Sequence, residues 1–131
     1  MNFSSEPGKA TLIVELEQAG IKHPPAKIVR IAKNKEGKII FLEEGKKGVG
    51  GSGLAHIIET HQDDFAKRDI SADQIPDAVI TAVTQGRFIR YQGKIPPQRE
   101  IYEVVFNGKI QYITVSVSNN GYIVGVNPAS I

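Results

Sequence analysis

The chain has no cysteine. That excludes a disulfide scaffold, a thiolate zinc site and a cysteine nucleophile, so any catalysis must draw on oxygen and nitrogen groups. Long apolar runs are also missing. The stretch Ile39 to Leu42, bounded by Lys38 and Glu43, is far short of the roughly 18 to 20 residues a helical membrane span needs. No signal-peptide pattern opens the sequence, and the expectation is a soluble domain. Strong charge of one sign is lacking too: 16 Lys plus Arg against 14 Asp plus Glu leave a net +2, too little to announce a polyanionic partner. What is present is enough for a core. With 40% hydrophobic and 23% charged residues in 131, the composition is that of one folded domain spanning residues 1–131, not of a disordered chain. The short polar start before the first helix suits a domain excised from a longer protein.

Periodicity divides the chain into helix-like and strand-like blocks, with no internal repeat. Leu12, Ile13, Leu16 and Ala19 fall at helical spacing within Lys9 to Ala19, and Gly20 supplies a left-handed stop. Ala26 to Lys33 alternates apolar and basic residues, and Lys38 to Glu43 follows across Asn34-Lys35-Glu36-Gly37, which reads as a β-hairpin. Gly45 to Gly53 holds five glycines in nine residues and leads into a helix from Leu54, with Ser52 as its side-chain cap. Ser71 and Gln74 form a capping box for a further helix that ends at Gly86, with Pro76 able to shift its start and Ile75, Val79, Ile80 and Val83 as its buried stripe.

From Arg87 onward the texture is β. Phe88 to Tyr91, Ile101 to Phe106, Ile110 to Ser118 and Tyr122 to Val126 are strands, and Asn107-Gly108 and Asn120-Gly121 read as type I′ turns because both central positions need positive φ. In the third of these strands Ile113, Val115 and Val117 face the core, while Tyr112, Thr114, Ser116 and Ser118 form a polar face. The expected fold class is α+β: N-terminal helices and a β-hairpin packed on a C-terminal antiparallel β-sheet.

Charge is segregated along the chain. Residues 1–21 carry −2, residues 22–47 carry +5, residues 48–85 carry −4 and residues 86–112 carry +3. The two basic segments could share one cleft for a polyanion, although Lys27, Arg30, Lys33, Lys35 and Lys38 are equally explained as groups that keep an edge hairpin soluble. Tyr91, Tyr102, Tyr112 and Tyr122 are either stacking surfaces for bases or half-buried packing.

Several groups could do chemistry. His56 and His61 follow the glycine-rich loop, and five residues of separation place them roughly 140° apart on a helix, a poor arrangement for joint metal chelation. A histidine at a glycine-rich helix start suits proton transfer, while a satisfied core or helix-end histidine is the plainer alternative. Gly48 to Gly53 lacks the Lys-Ser/Thr of a nucleotide-triphosphate loop. Arg87, Arg90, Lys94 and Arg99 surround the first sheet strand and can hold phosphate. On a regular strand Arg87 and Arg90 point to opposite faces, so only one of them enters a given cleft. Thr114, Ser116 and Ser118 offer hydroxyls that β-propensity alone also explains.

The order of these parts is informative: a glycine-rich loop, Gly53-Leu54-Ala55-His56-Ile57-Ile58 with His61 three positions on, a capped helix, Arg- and Lys-bearing strands, then Asn120-Gly121-Tyr122-Ile123-Val124-Gly125-Val126-Asn127-Pro128. Over about residues 40–128 it resembles the bacterial and phage toxin nucleases grouped with barnase, EndoU, the colicin-type tRNases and RelE. The resemblance implies a metal-independent ribonuclease without cofactor, a C-terminal toxin domain of the contact-dependent inhibition type. Such a domain is delivered as an effector, acts in the cytoplasm of the target cell and is neutralised by a cognate immunity protein. It implies His56 and His61 as the motif histidines, with tRNA or another structured RNA as substrate. Many relatives carry Thr and Tyr in the closing strand where this chain has Gly125 and Asn127, so Thr114, Ser116 or Asn127 must stand in.

RNA brings its own nucleophile, the 2′-OH. The protein has only to move protons and stabilise charge at phosphorus, leaving a 2′,3′-cyclic phosphate and a 5′-hydroxyl. The expected roles are acid/base work for His56, phosphate stabilisation for Arg87 or Arg90, positioning for Thr114 and backbone grip for Lys46, Lys47 and Lys94. Two other readings stay open: a non-catalytic module that binds RNA or an acidic protein, and a zinc or DNA nuclease using His23, His56 and His61.

Overall fold

A computed structural model describes residues 8–21, 27–93 and 99–130. Lys94, His23 and Ala26, all named above, lie outside the described residues. The elements run α1 (Lys9–Gln18), β1 (Ile28–Lys33), β2 (Ile39–Glu43), α2 (Gly53–Ala66), a 3-10 turn (Ala72–Gln74), α3 (Ile75–Gln85), β3 (Arg87–Gln92), β4 (Arg99–Phe106), β5 (Lys109–Val117) and β6 (Ile123–Pro128). The architecture is α+β. β1 and β2 form a two-stranded hairpin, and β3-β4-β5-β6 form an antiparallel meander in chain order.

One face of the four-stranded sheet is covered. Ile57 and Phe65 of α2 and Val79, Ala82 and Val83 of α3 pack with Val104, Ile113, Val115, Ile123 and Val126 of the sheet and with Ile40 and Leu42 of the hairpin. A smaller cluster of Leu16, Ile28 and Phe41 seats α1 on the hairpin. Both follow from the sequence pattern, since period-2 and period-3.6 apolar stripes must be buried against one another.

Besides this packing, the hairpin backbone meets the sheet beside β6. Phe41 N–H donates to the Gly121 carbonyl at 2.9 Å, a parallel bridge pairs Phe41 with Tyr122, and their rings meet edge to face at 5.7 Å.

Local details depart from expectation for identifiable reasons. Asn107 and Gly108 both have positive φ (54° and 75°), as a type I′ turn requires. At Asn120-Gly121 only the glycine does, at 94°. There Gly121 N–H closes a turn onto the Ser118 carbonyl at 3.0 Å, and the β5–β6 register shifts between Ser116 and Val117. The loop is longer and bulged because Gly121 is held against β2. Ser52 does not cap α2 through its side chain. Its hydroxyl is hydrogen-bonded to Tyr122 OH at 2.8 Å, and the Glu44 carbonyl accepts from Ala55 N–H instead. The Ser71–Gln74 pair starts the 3-10 turn, with Gln74 Oε1 accepting from Ser71 N–H at 3.0 Å. Pro76 then sits in the first turn of α3, where its missing N–H costs nothing.

Candidate active site

The sheet face away from the helices is built by strand alternation, and a bulge sets its chemistry. Phe88 pairs with Tyr102 but Arg90 pairs with Ile101, so Ile89 is an extra residue on β3. Arg87 pairs with Glu103, and Ile101 and Glu103 share a face of β4, being two apart. Arg87 and Arg90 therefore lie on the same face, which corrects the regular-strand expectation that they would oppose each other; an inserted residue reverses the alternation beyond it.

Around these two arginines the register places Tyr112 opposite Glu103 and Thr114 opposite Ile101. Asn127 lies opposite Thr114, and Gly125 opposite Ser116. Arg87 Nε and Nη2 donate to Glu103 Oε1 at 3.2 and 3.0 Å, and Tyr112 OH donates to Glu103 Oε2 at 2.9 Å. The Tyr112 hydrogen bond first, and the Arg87 guanidinium second, hold the Glu103 carboxyl below the usual carboxylate range. The same bond to the Glu103 carboxylate pushes the Tyr112 phenol up. Arg99 Nη1 donates to Asn127 Oδ1 at 2.9 Å. Arg90 is exposed and has no carboxylate partner among the described residues. Three guanidinium groups around one carboxylate leave this face net positive, as a phosphate-binding surface requires.

Thr114 shares the face of Arg87 and Arg90, but like its partner Ile101 it is buried there, so the middle of this face is closed to solvent and its polar groups lie around it. The Thr114 Oγ1 has no hydrogen-bond partner among the described residues. A polar atom buried without a partner costs about 1–3 kcal/mol. Thr114→Val, which keeps the shape and removes the hydroxyl, is expected to raise the urea midpoint by an amount equivalent to about 1 kcal/mol. A lower midpoint would show that the hydroxyl is satisfied after all.

The histidines lie elsewhere. α2 puts Ile57 and Phe65 into the covered-face core and runs against β6 and β2, so His56, Lys46 and Lys47 are held toward the β6 edge of the sheet, whereas Arg87 and Arg90 are on β3 at the other edge. His56 Nδ1 is buried without a hydrogen-bond partner among the described residues, 3.9 Å from Glu59 Oε1. Glu59 Oε1 accepts from Gly48 N–H at 2.8 Å, and Lys46 and Ser52 close the loop through reciprocal backbone bonds. His61 Nδ1 meets Asp64 Oδ2 at 2.9 Å on the exposed side of α2, and that bond lowers the Asp64 pKa. Among the described residues no three His, Asp or Glu side chains cluster as a metal site.

The basic hairpin is mostly engaged within the fold: Arg30 with Asp77 at 2.9 Å, Lys33 with Glu15 at 3.1 Å, and Lys35 Nζ with the Gly86 carbonyl at 3.3 Å. Among the described residues, the two basic segments meet across a pocket that both Lys35 and Arg87 line. Of the tyrosines, Tyr112 serves the arginine face, Tyr122 ties the glycine loop to the hairpin, and Tyr91 and Tyr102 line that same pocket.

Glu103, Tyr112 and Arg99 were not singled out together from the sequence. Only Asn107-Gly108 carried the signal, because a two-residue hairpin turn fixes the β4–β5 register and with it the Glu103–Tyr112 pair. Comparison of the sequence with protein-family models and with curated proteins returned no match, so the chemistry open to this site is judged from its geometry.

Proposed function

We propose that this domain is a metal-independent endoribonuclease that works at the exposed rim of the sheet face that carries Arg87 and Glu103. The observation that carries this reading is the Arg87–Glu103–Tyr112 hydrogen-bonded chain, flanked by Arg90 and by the Arg99–Asn127 pair. A base, a proton donor and a set of phosphate ligands are thus held on neighbouring strands of a rigid sheet.

The proton path closes on itself. When a substrate phosphate draws the Arg87 guanidinium away, Glu103 loses part of what keeps it anionic and becomes a stronger base. It takes the 2′-OH proton as the 2′-oxygen attacks phosphorus. Tyr112 gives its proton to the departing 5′-oxygen and recovers one from Glu103, so a single proton passes from the 2′- to the 5′-oxygen. Arg90 and Arg99 hold the charge that builds on the phosphorane oxygens. Within the same proposal the substrate is tRNA or another structured RNA, and the domain is an effector toxin acting in the target-cell cytoplasm. A cognate immunity protein with an acidic surface would then cover the arginine face.

The test is incubation of total cellular RNA with the purified protein, with and without EDTA, followed by mapping of product ends. Fragments with a 2′,3′-cyclic phosphate and a 5′-hydroxyl, equally abundant in EDTA, are expected; intact RNA, or cleavage abolished by EDTA, would overturn the proposal. The acid limb of kcat/KM reports Glu103 in the free enzyme and is expected below the ordinary carboxylate range. Tyr112→Phe removes the largest stabiliser of the charged form, so the limb should move to higher pH; an unmoved limb would exclude Glu103 as the base.

A second reading, a non-catalytic RNA-binding module, draws on one observation: the histidines and the arginines lie toward opposite edges of the sheet. Its mark is binding that weakens steeply with salt and yields no product.

A further inference from the structure

Beside the arginine face, around the β3 edge, lies a pocket of about 420 Å³ whose lining includes the carboxylates of Glu36 and Glu100, together with Asn34, Arg87, Phe88, Tyr91 and Tyr102. It is formed where α3 stops at Gly86 while β3 and β4 continue, so that the covered face of the sheet emerges from under the helix and the β1–β2 turn overhangs it. Phe88 and Tyr91 are about half exposed, although this is the face on which apolar side chains are otherwise buried. Their rings meet at 5.1 Å and 62°, and Phe88 meets Tyr102 at 6.3 Å and 71°. A set of aromatic edges and faces left open to solvent is a stacking platform in want of a flat partner.

The polar groups of the pocket are arranged in a definite way. Glu100 Oε1 accepts from Tyr102 OH at 3.1 Å, which anchors the carboxylate and leaves Oε2 to accept further bonds. Asn34 Oδ1 is occupied by the Glu36 and Lys38 N–H groups at 3.0 and 2.9 Å, so the Asn34 amide can act only as a donor. An anchored carboxylate beside an amide donor, over aromatic rings, matches a planar ring that offers adjacent N–H donors next to a carbonyl acceptor. Among nucleobases that edge belongs to guanine, whose N1–H and N2–H₂ lie side by side next to O6. Arg87 joins the arginine face through Glu103 and also borders this pocket, so a strand crossing the β3 edge would set a phosphate at Arg87 and the adjoining base over Tyr91.

We propose that this pocket is a nucleobase subsite, selective for guanine, that fixes where an RNA strand is positioned across the β3 edge. The proposal rests on RNA being the ligand of the arginine face, but its test does not depend on cleavage. Short 2′-O-methyl oligonucleotides lack the attacking hydroxyl and cannot be cut by transesterification. Their affinity is read by fluorescence anisotropy with a single position varied among the four bases.

The wild-type protein is expected to bind the guanine-containing probe about tenfold more tightly than the uracil probe. Glu100→Gln keeps the acceptor for Tyr102 but loses the charge, and should bring the two probes to within about twofold while uracil affinity stays unchanged. Tyr91→Ala, at an exposed position, should weaken all four probes about tenfold. Equal affinity for all four bases in the wild-type protein, or unchanged binding in a folded Tyr91→Ala protein, would overturn the subsite. Base-selective binding without any cleavage of natural RNA would leave the subsite standing and remove the nuclease; cleavage without base selectivity would do the reverse.

Discussion

Glu103→Gln is expected to lower RNA cleavage by about 10²- to 10⁴-fold, the usual worth of a positioned general base, with little change in the thermal midpoint. The carboxylate lies at the surface, and glutamine keeps its shape, with its one oxygen accepting from Arg87 and its amide N–H₂ turned to donate to Tyr112 OH, so the side chain stays in place and loses its basicity. Arg87→Ala should cost a comparable factor, about 10²- to 10³-fold, by removing charge stabilisation at phosphorus. Because the two residues act on one step, the double variant should be far less impaired than the product of the single effects. His56→Ala is the informative control. Because His56 lies toward the opposite edge of the sheet from Arg87, its loss is expected to leave cleavage within about twofold. If His56→Ala abolishes cleavage in a folded protein and Glu103→Gln does not, the chemistry belongs to the glycine-loop end of α2 instead.

The second large effect is structural. Gly121→Ala is expected to destabilise the domain by about 3 kcal/mol or more, because two penalties coincide. The residue sits at φ 94°, where a side chain costs about 1–2 kcal/mol. A Cβ would also lie 2.1 Å from the Ile39 carbonyl oxygen, so β2 and the β5–β6 turn would have to part beside the Phe41–Tyr122 bridge that joins hairpin to sheet. Gly108→Ala provides the contrast. It has φ 75° but open space around the added atom, and should cost only about 1 kcal/mol. Urea midpoints of the two variants decide the matter: equal losses would mean that the close approach to Ile39 contributes nothing. A Gly121 variant that survives should also lose the Ser52–Tyr122 bond, since Tyr122 is carried by the same turn.

Much of the fold was legible in the residues. The α1 stripe of Leu12 and Leu16, the β1–β2 hairpin across Asn34 to Gly37 and the meander closed by Asn107-Gly108 follow from periodicity and from the φ values that turn residues allow. Segregated charge was legible as well, and so was the presence of arginine on β3. The arrangement of these groups about the sheet was not. Adjacent letters place His56 and the glycine loop together, and the same kind of reading places Arg87 and Arg90 apart. Which edge of a sheet a helix packs against is invisible in one dimension.

The sequence by itself determined the element types, the turn positions, the alternation of β5 and the absence of thiol chemistry, because each depends on residues within a few positions of one another. Tertiary structure decided the rest. One extra residue in β3 turned Arg87 and Arg90 to the same face. The pairing of β4 with β5 brought Tyr112 to Glu103, and the packing of α2 against β6 removed His56 from them. Burial of Thr114 and the overhang of the β1–β2 turn beside Phe88 and Tyr91 are likewise consequences of which surfaces meet. Local chemistry sets which groups a strand can offer; only the pairing of distant strands, and the side on which the helices pack, determines which of those groups share a face.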